Sequence, residues 1–180
     1  MTTTPDPVDA WMDSWRTELP EVEHPSSELT KRIMFLAGTL DGVMRRELTE
    51  LGLTPAEFDV LVTLRRFGAP YRMKPNQLAR SVMLSTGGTT NVTHRLVARG
   101  VVEREDDPDD ARSTWLRLTP DGIALAERSV LVNAAAHEAL FDGVPAEVVE
   151  TATAALRQLF AAAPGLLGGA GAARATRSQA

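Results

Sequence analysis

Three prolines mark helix starts along the middle of the chain, and they constrain the fold more than any other feature. The segment "LTPAE" provides Thr54 as an N-cap, Pro55 at the first helical position and Glu57 as the acid of a capping box. The segments "MKPNQLARSVM" and "LTPDG" place Pro75 and Pro120 at the starts of two further helices. These signals predict short helices in close succession.

The sequence pattern changes from helical to strand-like after Gly100. A helix is predicted from about Thr86 to Arg99, and Gly100 is typical of the residue that follows a helix end. The runs "VVERED" and "STWLRLT" are short and rich in Val, Thr and Trp, and a tip containing Pro108 joins them, which predicts a β-hairpin. Helix, short helix, helix and hairpin in this order are typical of a winged helix-turn-helix. The predicted fold class is mainly α with a small β-hairpin wing.

Further helices are predicted on both sides of this lobe, over residues 7–19, about 26–51, 120–140 and 145–163. The last of them carries more apolar surface than a small winged core can cover, which favours a homodimer. The predicted organisation is N-terminal helices for dimerisation at 1–52, a DNA-binding lobe at 53–119, C-terminal dimerisation helices at 120–163, and a disordered Gly- and Ala-rich tail at 164–180.

Charge is distributed unevenly along the chain. The formal net charge is −5, yet residues 61–102 contain seven Lys and Arg and no Asp or Glu. A confined basic zone on an acidic molecule indicates an anionic partner such as double-stranded DNA. The alternative is a basic helical face that is merely solvated.

Several classes of protein find no support in the sequence. The chain has no cysteine, and its three histidines, at positions 24, 94 and 137, lie far apart. The segment "TGGTT" lacks the lysine of a phosphate-binding loop. We therefore expect no enzyme activity, no catalytic residue, no metal and no cofactor. Since no apolar run approaches the roughly 18 residues that span a bilayer, and no secretory signal is recognisable, we expect no membrane partner and a cytoplasmic location.

The helix before the hairpin is the predicted DNA-recognition helix. Its apolar face, with Val92 and Leu96, is expected to pack into the core, while the opposite face presents residues suited to DNA. Asn pairs well with adenine, and Arg with guanine or phosphate. The glycine pair could allow close backbone approach to a duplex, or could be only a poor helix start. The candidate DNA-contacting residues are Ser85, Thr86, Gly87, Gly88, Thr90, Asn91, His94 and Arg95.

With these features, the chain resembles the MarR (multiple antibiotic resistance regulator) family of bacterial winged-helix transcription factors. The similar segments are "GLTPAEFDVLVTLRRFG", "NQLARSVMLS", "TTNVTHRLVARGVVER", "DPDDAR" and "RLTPDG", within about residues 29–160. The resemblance implies that Arg112 of the wing enters the minor groove, and that Asp110 supports the wing by pairing with Arg95 or Arg99. Ala111 and Val92 depart from the family pattern, because many relatives carry arginine at these positions.

The resemblance extends in part to the urate-responsive branch of the family. This branch has an added N-terminal helix with a tryptophan, an aspartate in the helix after "LT", and two arginines. Trp15, Asp59 and Arg104 match this pattern, whereas Val92 replaces the second arginine. The resemblance therefore implies a possible ligand pocket that involves the N-terminal helices at 1–52. These three residues are its candidate ligand site, suited to a small aromatic or carboxylic effector. Alternatively, Trp11 and Trp15 only fasten the first helix to the core.

The sequence as a whole therefore predicts a dimeric DNA-binding transcriptional regulator. The predicted activity is repression at a near-palindromic operator, with release by a small molecule. The alternative is a winged-helix module that binds another protein and no specific DNA, because fold does not determine function.

Overall fold

The computed structural model describes residues 5–82, 86–108 and 110–163, apart from the side chains of residues 86, 111 and 112. In chain order, the elements are α1 (Pro7–Glu18), a 3-10 turn (Pro20–Val22), α2 (Pro25–Glu50), α3 (Pro55–Arg66), β1 (Arg72–Met73), α4 (Pro75–Ser81), α5 (Thr86–Ala98), β2 (Val102–Asp107), β3 (Asp110–Leu118), α6 (Pro120–Ala139) and α7 (Ala146–Ala162). The chain divides into two compact units, one up to Met44 and one from Arg45 onward. The predicted winged-helix fold class is confirmed.

The N-terminal unit contains α1 and the first part of α2, joined by ion pairs. Asp6 caps α1 by accepting the backbone N–H of Val8 at 2.8 Å. The guanidinium of Arg32, on α2, donates to the carboxylates of Asp6 at 2.8 Å and Asp9 at 2.5 Å. The rings of Trp11 and Phe35 lie 5.8 Å apart. Helix α1 is therefore held against α2 by both polar and aromatic contacts.

The C-terminal unit has a continuous apolar core around α3. Fully buried leucines come from each layer of the lobe, and burial of each contributes about 1.5–3 kcal/mol. They are Leu48 of α2, Leu61 and Leu64 of α3, Leu78 of α4, Leu96 of α5 and Leu116 of β3.

A three-stranded antiparallel sheet forms the wing, in the order β1–β3–β2. Strand β2 runs beside β3 with Val102 opposite Leu118 and Arg104 opposite Leu116. Strand β1 adds Arg72 opposite Arg117 on the other side of β3. The sequence predicted the hairpin but not β1, because a two-residue strand is too short to show an alternating pattern.

The capping box and the glycines that the sequence predicts at helix ends are present in the structure. Thr54 accepts the Glu57 N–H at 3.2 Å, and the Glu57 carboxylate accepts the Thr54 N–H at 2.8 Å, which is the predicted capping box. Gly52 and Gly100 adopt φ of 63° and 71°, a left-handed conformation that favours glycine. Among the described residues, no helix is long and apolar enough to cross a membrane. The predicted tail, 164–180, lies outside the described residues.

Candidate nucleic-acid interface

Helix α5 presents one polar, exposed face and one buried face. Val92 and Leu96 are buried in the core, together with Thr89 and Thr93. The predicted contact residues Gly87, Thr90, Asn91, His94 and Arg95 are exposed, and Gly88 is half-buried. Ser85 and the side chain of Thr86 lie outside the described residues. The structure thus places most of the predicted recognition residues together on one accessible surface.

Val92 now has a clear structural role. The side chain is 4% exposed, within the apolar side of α5. An arginine there would bring a charge into the core at a high cost in free energy unless the helix rotated. The departure from the family pattern at this position therefore accompanies a buried side chain on the apolar side of α5.

Arg95 is both exposed and anchored. Its Nε lies 3.1 Å from Glu57 Oε1, and the Arg95 side chain is 54% exposed while that of Glu57 is 6% exposed. Burial opposes ionisation of the Glu57 carboxyl, but hydrogen bonds from Thr54 and Arg95 outweigh it, so the pKa of Glu57 lies below its ordinary value. The ion pair ties α5 to the start of α3 and fixes the outward direction of the guanidinium.

Arg99, at the end of α5, has a different partner. Its Nη1 donates to the carbonyl oxygen of Gly52 at 2.8 Å. The described contacts of Arg95 and Arg99 are thus with Glu57 and Gly52, and the pairing of either arginine with Asp110 stays a prediction. The side chain of Arg112 lies outside the described residues.

Three acidic residues of the wing are paired with cations. Glu103 lies 2.8 Å from Arg117, and Glu105 pairs with both Arg117 and Arg72. Asp107 pairs with Lys74. These pairs offset the repulsion that an acid-rich hairpin would exert on an anionic partner. Sequence reasoning missed Arg72 and Lys74, because each lies 33 residues from its acid along the chain.

The predicted effector residues are distributed over both units. Asp59, on α3, is an exposed residue whose carboxyl is nevertheless partly shielded from water, and this desolvation raises its pKa above its ordinary value. Arg104, on β2, is exposed. Trp15 belongs to the N-terminal unit. A surface cavity of about 310 Å³ is lined instead by Leu51, Arg99 and Arg128, among others.

Comparison with known proteins finds similar transcriptional regulators. The sequence profile described as MarR family matches residues 51–113. The HTH-type transcriptional regulator PecS of Dickeya dadantii is 30% identical over 119 residues, covering 66% of this chain and 72% of PecS. The multiple antibiotic resistance protein MarR of Escherichia coli is 30% identical over 121 residues, covering 67% of this chain and 82% of MarR.

A solved structure agrees in fold. It is a mutant of MarR from E. coli complexed with operator DNA, with a TM-score of 0.61 and 27% identity over 81% of this chain and 96% of that chain. The fold and the exposed face of α5 define a winged helix-turn-helix DNA-binding protein. The chain belongs to the MarR family of transcriptional regulators.

Proposed function

We propose that the protein binds a near-palindromic operator as a homodimer, represses transcription there and is released by a small effector. The observation that carries DNA binding is the outward face of α5, where Asn91, His94 and Arg95 are exposed above a buried apolar side. The MarR mutant structure in complex with operator DNA supports the same use of this fold. A helix of this kind fits the major groove.

Each exposed residue of α5 has a distinct proposed role. Asn91 hydrogen-bonds an adenine edge, which gives sequence preference. Arg95, held by Glu57 through Nε, directs its terminal nitrogens to a phosphate or a guanine. Arg112 of the wing is proposed to enter the adjacent minor groove.

A second copy of the chain is the proposed cover for the exposed apolar residues. On α7 these include Val148, Leu156 and Phe160, and on α2 they include Met34 and Phe35. Apolar surface of this extent marks an interaction site. A two-fold dimer would set two recognition helices about one DNA turn apart, which requires an operator with two inverted half-sites.

Effector release is proposed on the family resemblance. Asp59 and Arg104 are the candidate residues in the C-terminal unit, with Trp15 in the N-terminal unit. Ligand and DNA must weaken each other by the same factor, typically about 5- to 150-fold. Small aromatic and carboxylic acids are the compounds to screen for release of bound DNA, and Arg104→Ala should lose the response while retaining operator affinity.

Selection of duplexes from a random pool tests the DNA-binding proposal. We expect enrichment of an inverted repeat with half-site centres about 10 base pairs apart, bound by a dimeric mass. The affinity should fall steeply with salt, by about one unit of logarithmic slope per phosphate contact. A pool without enrichment, in a protein that is folded and dimeric, would favour the protein-binding module instead.

A further inference from the structure

Lys74 occupies a position that lysine does not favour. It directly precedes α4 as its N-cap, where Ser, Thr, Asp and Asn are preferred because their oxygens accept a free backbone N–H. A lysine side chain has only donors, and its charge meets the positive end of the helix dipole. The N–H of Lys74 is instead accepted by Gln77 Oε1 at 3.1 Å, so the lysine side chain is used elsewhere.

The side chain of Lys74 reaches the wing. Its Nζ donates to the carboxylate of Asp107, on β2, and to the hydroxyl of Ser113, on β3. The same Nζ lies 4.2 Å from the centre of the Trp115 ring, within the range of a cation–π interaction. The side chains of Lys74 and Asp107 are 20% and 9% exposed, so water and salt screen this pair weakly.

The contact falls where the hairpin is least regular. The pairing of β2 with β3 shifts register between Asp106 and Asp107. Here the sheet is only two-stranded, because β1 pairs with Leu116 and Arg117 alone, and a two-stranded hairpin is marginally stable without outside support. Arg72 adds to this support, since its guanidinium lies 4.7 Å from the centre of the same Trp115 ring and pairs with Glu105.

We propose that Lys74 is a positioning residue for DNA binding, which fastens the far part of the wing to the start of α4. This cluster, comprising Lys74, Asp107, Ser113 and Trp115, is called the wing clamp. Because α4 leads directly to the recognition helix, the clamp fixes the wing relative to the helix-turn-helix. The proposal rests on the proposed function, since it gives the wing's orientation a role in operator affinity.

A double-mutant cycle on Lys74→Met and Asp107→Asn tests the wing clamp. Operator affinity is measured over a range of salt with the duplex that the parent protein selects, and hydrogen exchange is measured for the amides of β2 and β3 without DNA. Arg128→Met, which removes one exposed charge from α6, is the matched control and should leave both measurements as in the parent.

We expect Lys74→Met to bind the duplex about tenfold more weakly, which corresponds to about 1.4 kcal/mol, with the parent's salt slope. The double variant should bind no more weakly than Lys74→Met, because both changes break one contact. In Lys74→Met, the amides of β2 and β3 should exchange faster than in the parent protein, while those of α3 stay protected.

The wing clamp would be overturned by parent-like affinity in Lys74→Met, by additive losses in the double variant, or by a salt slope lower by about one, which indicates a direct phosphate contact. If the parent protein selects no duplex, the proposed function fails, but this result does not by itself decide whether the wing clamp exists. The hydrogen exchange then still tests the clamp, since unchanged exchange in Lys74→Met would overturn it.

Discussion

At the scale of single residues, Thr119 and Gly122 of the "LTPDG" segment are held in place by hydrogen bonds and close packing. A Cβ on Gly122 would lie 1.9 Å from the carbonyl oxygen of Val101, so no larger residue fits without movement of the backbone. The Thr119 hydroxyl donates to the Gly100 carbonyl at 2.8 Å and accepts the Gly122 N–H at 3.0 Å. The start of α6 is thereby joined to the segment that follows the recognition helix.

Two glycine substitutions should have opposite effects on stability. Gly122→Ala should lower the free energy of unfolding by about 1–3 kcal/mol through overpacking. At Gly87, an added Cβ meets no atom within 4 Å among the described residues. Gly87→Ala should therefore raise the free energy of unfolding by up to about 1 kcal/mol. Urea unfolding measures both.

The Gly87→Ala variant also separates the two interpretations of the glycine pair. Close backbone approach to DNA predicts weaker operator binding in a more stable protein. A merely poor helix start predicts unchanged or tighter binding. Equal loss of stability in the Gly87 and Gly122 variants would contradict the packing described for both.

Glu57 should make the stability of the protein depend on pH. Its pKa is depressed in the folded state, so it contributes stability above its unfolded pKa and loses that contribution as pH falls through the folded value. At pH 7, Glu57→Gln should therefore be less stable by about 1–3 kcal/mol. The difference in unfolding free energy between parent and variant should begin to narrow as pH falls below about 4, the ordinary range for glutamate, and should vanish only below the lower pKa of the folded state. A constant difference from pH 7 to pH 3 would contradict this role.

At the scale of elements, the sequence predicted what local signals determine. The starts of α3, α4 and α6 follow from Pro55, Pro75 and Pro120 at their first positions, since a proline and its cap act within one turn. The predicted faces of α5 agree with its burial, because a helical stripe is visible over its 13 residues.

Contacts between distant parts of the chain were not predictable in this way. Strand β1 exists because Arg72 and Met73 meet β3 more than 40 residues later, which no local pattern indicates. The pairing of Lys74 with Asp107 is missed for the same reason. Conversely, the unfavourable N-cap at Lys74 was a visible signal that the side chain has another partner.

At the scale of the whole molecule, the described chain has exposed apolar residues on α7, among them Val148 and Phe160. Helix α7 has no buried residue of its own. A helix of 17 residues with an apolar face gains most of its stability from packing. The proposed dimer would supply that packing, and it would link α7 to the operator geometry through the spacing of two recognition helices.

The central claim is that the exposed face of α5 reads DNA sequence, and the binding profile of Asn91→Ala tests it most directly. Parent, Asn91→Ala and the control Asn76→Ala, changed at an exposed residue of α4, are each profiled against every single-base variant of the selected duplex. We predict that Asn91→Ala loses preference at one position in each half-site, at a cost of about 1–3 kcal/mol, while Asn76→Ala keeps the parent profile. Identical profiles for parent and Asn91→Ala would contradict the claim.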